Sequence, residues 1–184
     1  MHTDARQCRP ARPGHIAKRD NEYKRCGTAN IFAVVEPKSG RRFNCVTPNR
    51  SAAQFARVVQ RLVADYPFAR KIHLVMDNLS IHCRKSLTDH LGDQEGRAIW
   101  TRLKVHYTPK HGSWLNQAEI ELSLLSRQCL GTRRIPTLAQ LAVSVDSWNA
   151  KANRDRTCIQ WKFTRKAARV KFGYQWNTFK RSET

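Results

Sequence analysis

Acidic side chains and long apolar runs are both scarce in this 184-residue sequence. The longest apolar stretches run to about five residues, far short of the ~20 that a membrane-spanning helix needs. No Cys-x-x-Cys pair occurs among the six cysteines, Cys8, Cys26, Cys45, Cys83, Cys129 and Cys158, and no His lies at ligand spacing from them. Structural zinc therefore finds no support. No secretory leader opens the sequence, so the expectation is reduced thiols in a soluble cytoplasmic protein. Repeats and low-complexity blocks are missing too. Against 14 Asp and Glu stand 34 Lys and Arg, a net charge of +20. The bases are spread through the chain, with clusters at 6–25, 151–156 and 162–171. Such a balance says nothing about fold but favours a polyanionic partner, DNA or RNA.

The length suits one domain with an adequate core. Residues 1–22 are rich in Arg and Pro and lack periodicity, which predicts a basic flexible arm. Two β-rich runs follow, 31–35 and 42–46, and Glu36-Pro37-Lys38-Ser39-Gly40 between them has the turn chemistry of a hairpin. Ser51 and Gln54 fit a capping box. Phe55, Val58, Val59, Leu62, Val63 and Tyr66 then recur at helical spacing up to Pro67. Residues 72–76 are apolar except for His73, as in a strand covered on both faces. A short helix over 84–91 ends before Gly92, and residues 103–107 alternate as a strand does. Pro109 and Gly112 mark a loop, after which Ser113 opens a helix with Leu115, Ala118, Leu122, Leu125 and Cys129 on one face. Thr137 opens another, with Leu138, Leu141, Val145 and Trp148 inward. A basic helix ends at Phe172, and residues 175–184 form a tail. This order predicts a mixed α/β sheet, with strands 72–76 and 103–107 as parallel neighbours.

Asp77 follows the strand Leu74-Val75-Met76, at the carboxyl edge where open α/β sheets form their sites. Asp-Asn after a strand is equally ordinary turn chemistry. Glu119 falls on the polar flank of its helix beside Asn116. Glu121 lies roughly 200° further around, so the two are not expected to face one metal ion. Periodicity alone also allows either glutamate to be solvated. A carboxylate pair in a basic chain suits phosphoryl transfer, where hard oxygen ligands hold divalent ions about 3.5–4 Å apart. Magnesium is the expected ion, with manganese as a substitute. His82 and His111 stand near the two acids and could move protons, although loop hydrogen bonds or phosphate contacts are the commoner roles. The tryptophans read as packing residues.

Three blocks carry a resemblance. They are Tyr23-Lys24-Arg25-Cys26-Gly27-Thr28, then Val75-Met76-Asp77-Asn78-Leu79-Ser80-Ile81-His82, then Tyr107-Thr108-Pro109-Lys110-His111-Gly112-Ser113-Trp114-Leu115-Asn116-Gln117-Ala118-Glu119. Together they resemble bacterial insertion-sequence transposases of the mariner-like superfamily, DDE superfamily endonucleases. Trp161-Lys162-Phe163-Thr164, with Ala167, Arg169 and Lys171, resembles the carboxyl-terminal end of that family. The resemblance covers about residues 10–174. It implies a ribonuclease-H-like catalytic domain over 23–174, a mixed sheet flanked by helices, that cuts and joins double-stranded DNA with two magnesium ions. It makes Asp77 and Glu119 the second and third acids of a catalytic triad, both metal ligands. Asn78 and Asn116 would support the site. Lys24, Arg25, Lys110, His111, Arg165 and Lys166 are candidates to touch DNA. The implied partners are terminal inverted repeats, target DNA and further copies of the chain, so nucleoid association is expected.

The departure lies at the amino end. The family's first Asp ends a first strand that is central in the sheet, and Met1 begins after that point. Asp4, Asp20, Glu22 and Glu36 make poor substitutes. The expectation is an amino-terminally truncated transposase lacking the central first strand and impaired in DNA transposition. The alternative is a non-catalytic DNA-binding remnant that interferes with a full-length relative. A ribonuclease on the same fold would need a complete acidic cluster.

Overall fold

The computed structural model describes residues 1–6, 8–18, 21–109, 116–156, 158–160 and 162–173. Two further helical side chains, those of Arg165 and Phe172, are not described. The element order is β1 (His2–Asp4), β2 (Tyr23–Arg25), β3 (Asn30–Glu36), β4 (Arg41–Thr47), α1 (Ala52–Asp65), β5 (Ile72–Met76), α2 (Arg84–Leu91), α3 (Asp93–Arg102), β6 (Leu103–Tyr107), α4 (Ala118–Leu125), a π-helical turn (Ser126–Leu130), α5 (Leu138–Asp155) and α6 (Arg165–Phe172).

The mixed α/β architecture is as expected, with small sheets flanked by helices. The sheet itself is interrupted. Among the described residues it consists of three two-stranded pieces: β1 with β2 and β3 with β4, both antiparallel, and β5 with β6, parallel. The hairpin and the parallel pair are the strand pairings the sequence predicts.

Helix α1 forms where periodicity puts it, with the Ser51 hydroxyl accepting from the Gln54 N–H at 3.4 Å. Its face of Phe55, Val59 and Val63 meets Met76 of β5, Leu87 of α2, Ile99 of α3 and Leu103 of β6 in one core. Val58 and Leu62 reach Phe43 of the hairpin. Leu125, Cys129, Leu141, Val145, Trp148 and Ala152 make a second core, against which Ile31 and Val46 pack. The hairpin thus lies between α1 and α5. Helix α3 was not foreseen, although Asp93 and Glu95 in its first turn and Arg102 in its last suit the helix dipole.

Three expectations need correction. The amino-terminal arm contains β1 and two antiparallel bridges, Arg9 to Lys18 and Arg12 to His15. It is held because Arg134 bonds the Asp4 carboxylate at 2.5 Å and the Glu22 carbonyl at 2.7 Å. Strand β5 is covered on one face only: Val75 is 54% exposed, and the His73 and His106 rings stack on the open side. The predicted stripe of the α4 helix is also broken. Leu125 and Cys129 are buried but Leu122 is 40% exposed, because the buried face runs through Glu121, Leu125 and Cys129 instead. Ser113 and Leu115 of that expectation lie outside the described residues.

Helix α5 closes the outer edge of β4 with side-chain amides. Asn149 accepts from the Asn44 N–H and donates to its carbonyl, at 3.1 and 3.0 Å. Asn153 does the same for Arg42, both bonds at 2.8 Å. Spaced four residues apart on one helix face, these amides imitate the ladder of a neighbouring strand. No helix among the described residues is long and apolar enough to cross a membrane.

Candidate active site

Asp77 follows β5, and the chain then turns sharply: the Leu79 N–H points to Asp77 Oδ1 at 3.4 Å. The other contact of that oxygen is His82 Nδ1, at 2.6 Å. The imidazole rests against the Phe55 ring, with centroids 4.7 Å apart, and the Tyr107 hydroxyl donates to the His82 carbonyl at 2.7 Å. Helix α1 and strand β6 therefore fix the loop that aims the Asp77 carboxylate, whose side chain is 35% exposed. Asn78 donates to the Thr108 carbonyl at 2.5 Å and ties the end of β5 to the end of β6. Asn78 thus braces the strand ends. Nearby, the Ser86 hydroxyl against Cys83 Sγ holds that thiol below its ordinary value, while burial pushes the Tyr107 phenol up.

Asn116 opens the turn into α4: its Oδ1 accepts from the Ala118 N–H at 3.1 Å and its carbonyl from the Glu119 N–H at 3.0 Å. Asp77, His82, Asn116 and Gln117 line one cleft of about 520 Å³, together with β3, β5 and the apolar face of α1. Glu119 is exposed on the first turn of α4, next to that lining but not part of it. Glu121 is fully buried, so the freedom to be solvated that periodicity allowed it is overturned. Arg42 Nη1 lies 3.6 Å from its Oε2, and Asn44 Nδ2 donates to its Oε1 at 3.3 Å. Burial nevertheless raises its carboxyl above the ordinary value.

The substitutes for a first acid lie elsewhere. Asp4 is bound by Arg134, and Glu36 accepts from the Tyr66 hydroxyl at 3.0 Å. Glu22 is exposed before β2, and Asp20 lies outside the described residues. Among the described residues no three His, Cys, Asp or Glu side chains gather to hold a metal ion. The donor chemistry of Asp77 and Glu119 suits magnesium, but two carboxylates, one already engaged by His82, do not make a complete centre.

Of the DNA-contact candidates, Lys24 and Arg25 are exposed on β2, and Lys166 is exposed on α6. Arg165 begins α6. Lys110 and His111 lie outside the described residues. Two residues near the site, Tyr107 behind the His82 loop and Arg50 in the cleft, escaped the sequence reading. Tyr107 sits inside a quoted motif with no signal for its role. Arg50 lines the cleft and has no local pattern at all.

A carboxylate at the end of a parallel strand pair, on one cleft with the turn that leads from Asn116 into α4, defines an α/β protein consistent with a ribonuclease-H-like nuclease fold. The chain belongs to the DDE superfamily endonucleases, whose family profile matches residues 2–142. Membership places it with enzymes of nuclease and transposase type. The matched range starts earlier than the sequence resemblance does and stops before the block 161–171. No curated protein and no solved structure gives a significant match.

Proposed function

We propose that this chain is a transposase domain that cleaves and rejoins double-stranded DNA at the terminal inverted repeats of a mobile element. The observation that carries the reading is the placement of Asp77 and Asn116 on one cleft in a chain matched to DDE endonucleases. Asp77 and Glu119 are the acids of the reaction, Asn78 and Asn116 brace them, and Lys24, Arg25, Lys110, His111, Arg165 and Lys166 neutralise phosphates. Magnesium, or manganese in its place, is the cofactor such chemistry calls for. The carboxylate set among the described residues is incomplete, so the isolated chain acts slowly, and further copies assemble with it on DNA. The charge of +20 supports binding that weakens steeply with salt as neutralised phosphates release counterions.

The same incompleteness favours a second reading, a non-catalytic DNA-binding protein that joins mixed assemblies with a complete relative. Nicking of terminal-repeat DNA separates the two. Slow nicking that requires magnesium and stops with chelator supports the transposase. Tight, salt-sensitive DNA binding with no nicking in magnesium or manganese supports the binding protein.

A further inference from the structure

The open face of the β5–β6 pair carries two histidines that the chemistry proposed for Asp77 does not use. Side chains alternate across a strand, and Ile72, Leu74 and Met76 of β5 turn with Leu103 and Val105 of β6 into the core. His73 and Val75 therefore stand on the other face with Lys104 and His106, and all four are exposed. In register, His73 lies opposite Lys104 and Val75 opposite His106. The two histidines are thus diagonal neighbours, brought together from 33 positions apart. His73 Nδ1 stands 3.1 Å from His106 Nε2, with the ring planes within 13° of each other and the centroids 5.3 Å apart.

A nitrogen pair at that distance shares one proton: one ring donates and the other accepts through its lone pair. The spacing also suits a metal ion. Zinc–imidazole bonds of about 2.0–2.1 Å, set at a tetrahedral angle, put two ligand nitrogens roughly 3.3 Å apart. The strands already hold the rings at that bite. Aiming both lone pairs at one point needs only rotation of exposed rings about soft terminal torsions. The face also selects the ion. Its residues on β5 and β6 include no carboxylate, so magnesium finds no hard oxygen ligand there, whereas imidazole suits zinc, nickel or copper. Lys104 repels a cation, but its flexible stem lets the exposed ammonium swing into solvent. Water can fill the remaining coordination positions on so open a face.

We propose that His73 and His106 form a binding site for a zinc-type divalent ion, held by His73 Nδ1 and His106 Nε2. Bound there, the ion clips β5 to β6 across their solvent face. Asp77 follows His73 by four residues, roughly 13 Å along the strand. The site is therefore separate from the candidate active site, and it stands whether or not Asp77 takes part in catalysis.

The test titrates the full chain with zinc alone. Proton–nitrogen correlation spectra of the imidazoles are expected to shift at His73 Nδ1 and His106 Nε2 together. Zinc affinity, measured by calorimetry, is expected to fall about tenfold or more in His73→Gln and equally in His106→Gln, because a two-point hold is lost with either point. The double variant should lose no more than the singles. Both side chains are exposed, so the variants are expected to keep the wild-type circular dichroism. Excess magnesium should leave the zinc in place. Unchanged affinity in either single variant, or ring shifts confined to other histidines, assigns the ion to other side chains and overturns the site. A further loss in the double variant overturns the shared ion, and displacement by magnesium overturns the nitrogen ligation.

Discussion

His82 Nδ1 stands 2.6 Å from Asp77 Oδ1, with the imidazole braced by the Phe55 ring. A group that holds an acid at this distance sets the direction in which its carboxylate points. His82→Ala is therefore expected to slow magnesium-dependent nicking about tenfold or more, as loss of an outer partner to a ligand does elsewhere. DNA affinity, measured by fluorescence anisotropy, should stay within roughly twofold, because phosphate contacts dominate it. An unchanged nicking rate would remove His82 from the site.

Asn149 and Asn153 hold the edge of β4 through paired backbone bonds. Asn149→Ala leaves the buried N–H and carbonyl of Asn44 without those partners. A loss of about 1–3 kcal/mol in chemical denaturation is expected, the penalty for unsatisfied buried groups. The double variant with Asn153→Ala opens the edge to pairing with other chains, so light scattering should detect self-association absent from the wild type.

Burial raises the Glu121 carboxyl above its ordinary value of 4.5, and Arg42 and then Asn44 oppose the shift. An acid raised in this way binds its proton more tightly in the folded state than in the unfolded one. Its contribution to stability is full below the unfolded value and is lost as pH rises through the folded value. Glu121→Gln, which imitates the protonated acid, should thus match the wild type at acid pH and gain on it as pH rises towards neutrality. Denaturation at a series of pH values checks this. A variant that falls behind with rising pH would show that attraction to Arg42 outweighs burial.

Gly96 lies where α3 crosses α2: a Cβ there would come within 2.7 Å of the Thr88 Cα and N. Both atoms are backbone, so the helices must separate. Gly96→Ala is expected to cost about 1–3 kcal/mol by thermal or chemical denaturation, as overpacking does. DNA affinity should be unaffected at temperatures where the variant is folded.

Local patterns were legible in the sequence where they also decided the structure. The Ser51 and Thr137 caps, the stripe of α1, the hairpin turn and the parallel pairing through a helical crossover all rest on neighbours in sequence. What escaped depends on distant partners. Glu121 is buried because Arg42 and Asn44 arrive from β4, and no periodicity in α4 announces them. The amide ladder from α5 unites residues separated by 105 and 111 positions. The docking of the amino-terminal segment hangs on Arg134, far along the chain. Asp77 was conspicuous because it follows a strand, and Asn116 because it shares the polar flank of Glu119. That both would line one cleft followed from the resemblance and not from spacing.

The central claim is that Asp77 and Glu119 work as one catalytic pair on DNA. Magnesium-dependent nicking of terminal-repeat DNA by Asp77→Asn, Glu119→Gln and the double variant, at matched DNA occupancy, tests it most directly. Residues that act as a unit are non-additive, so each single variant should abolish nicking as completely as the double while DNA affinity is retained. A single variant that nicks at the wild-type rate would contradict the account.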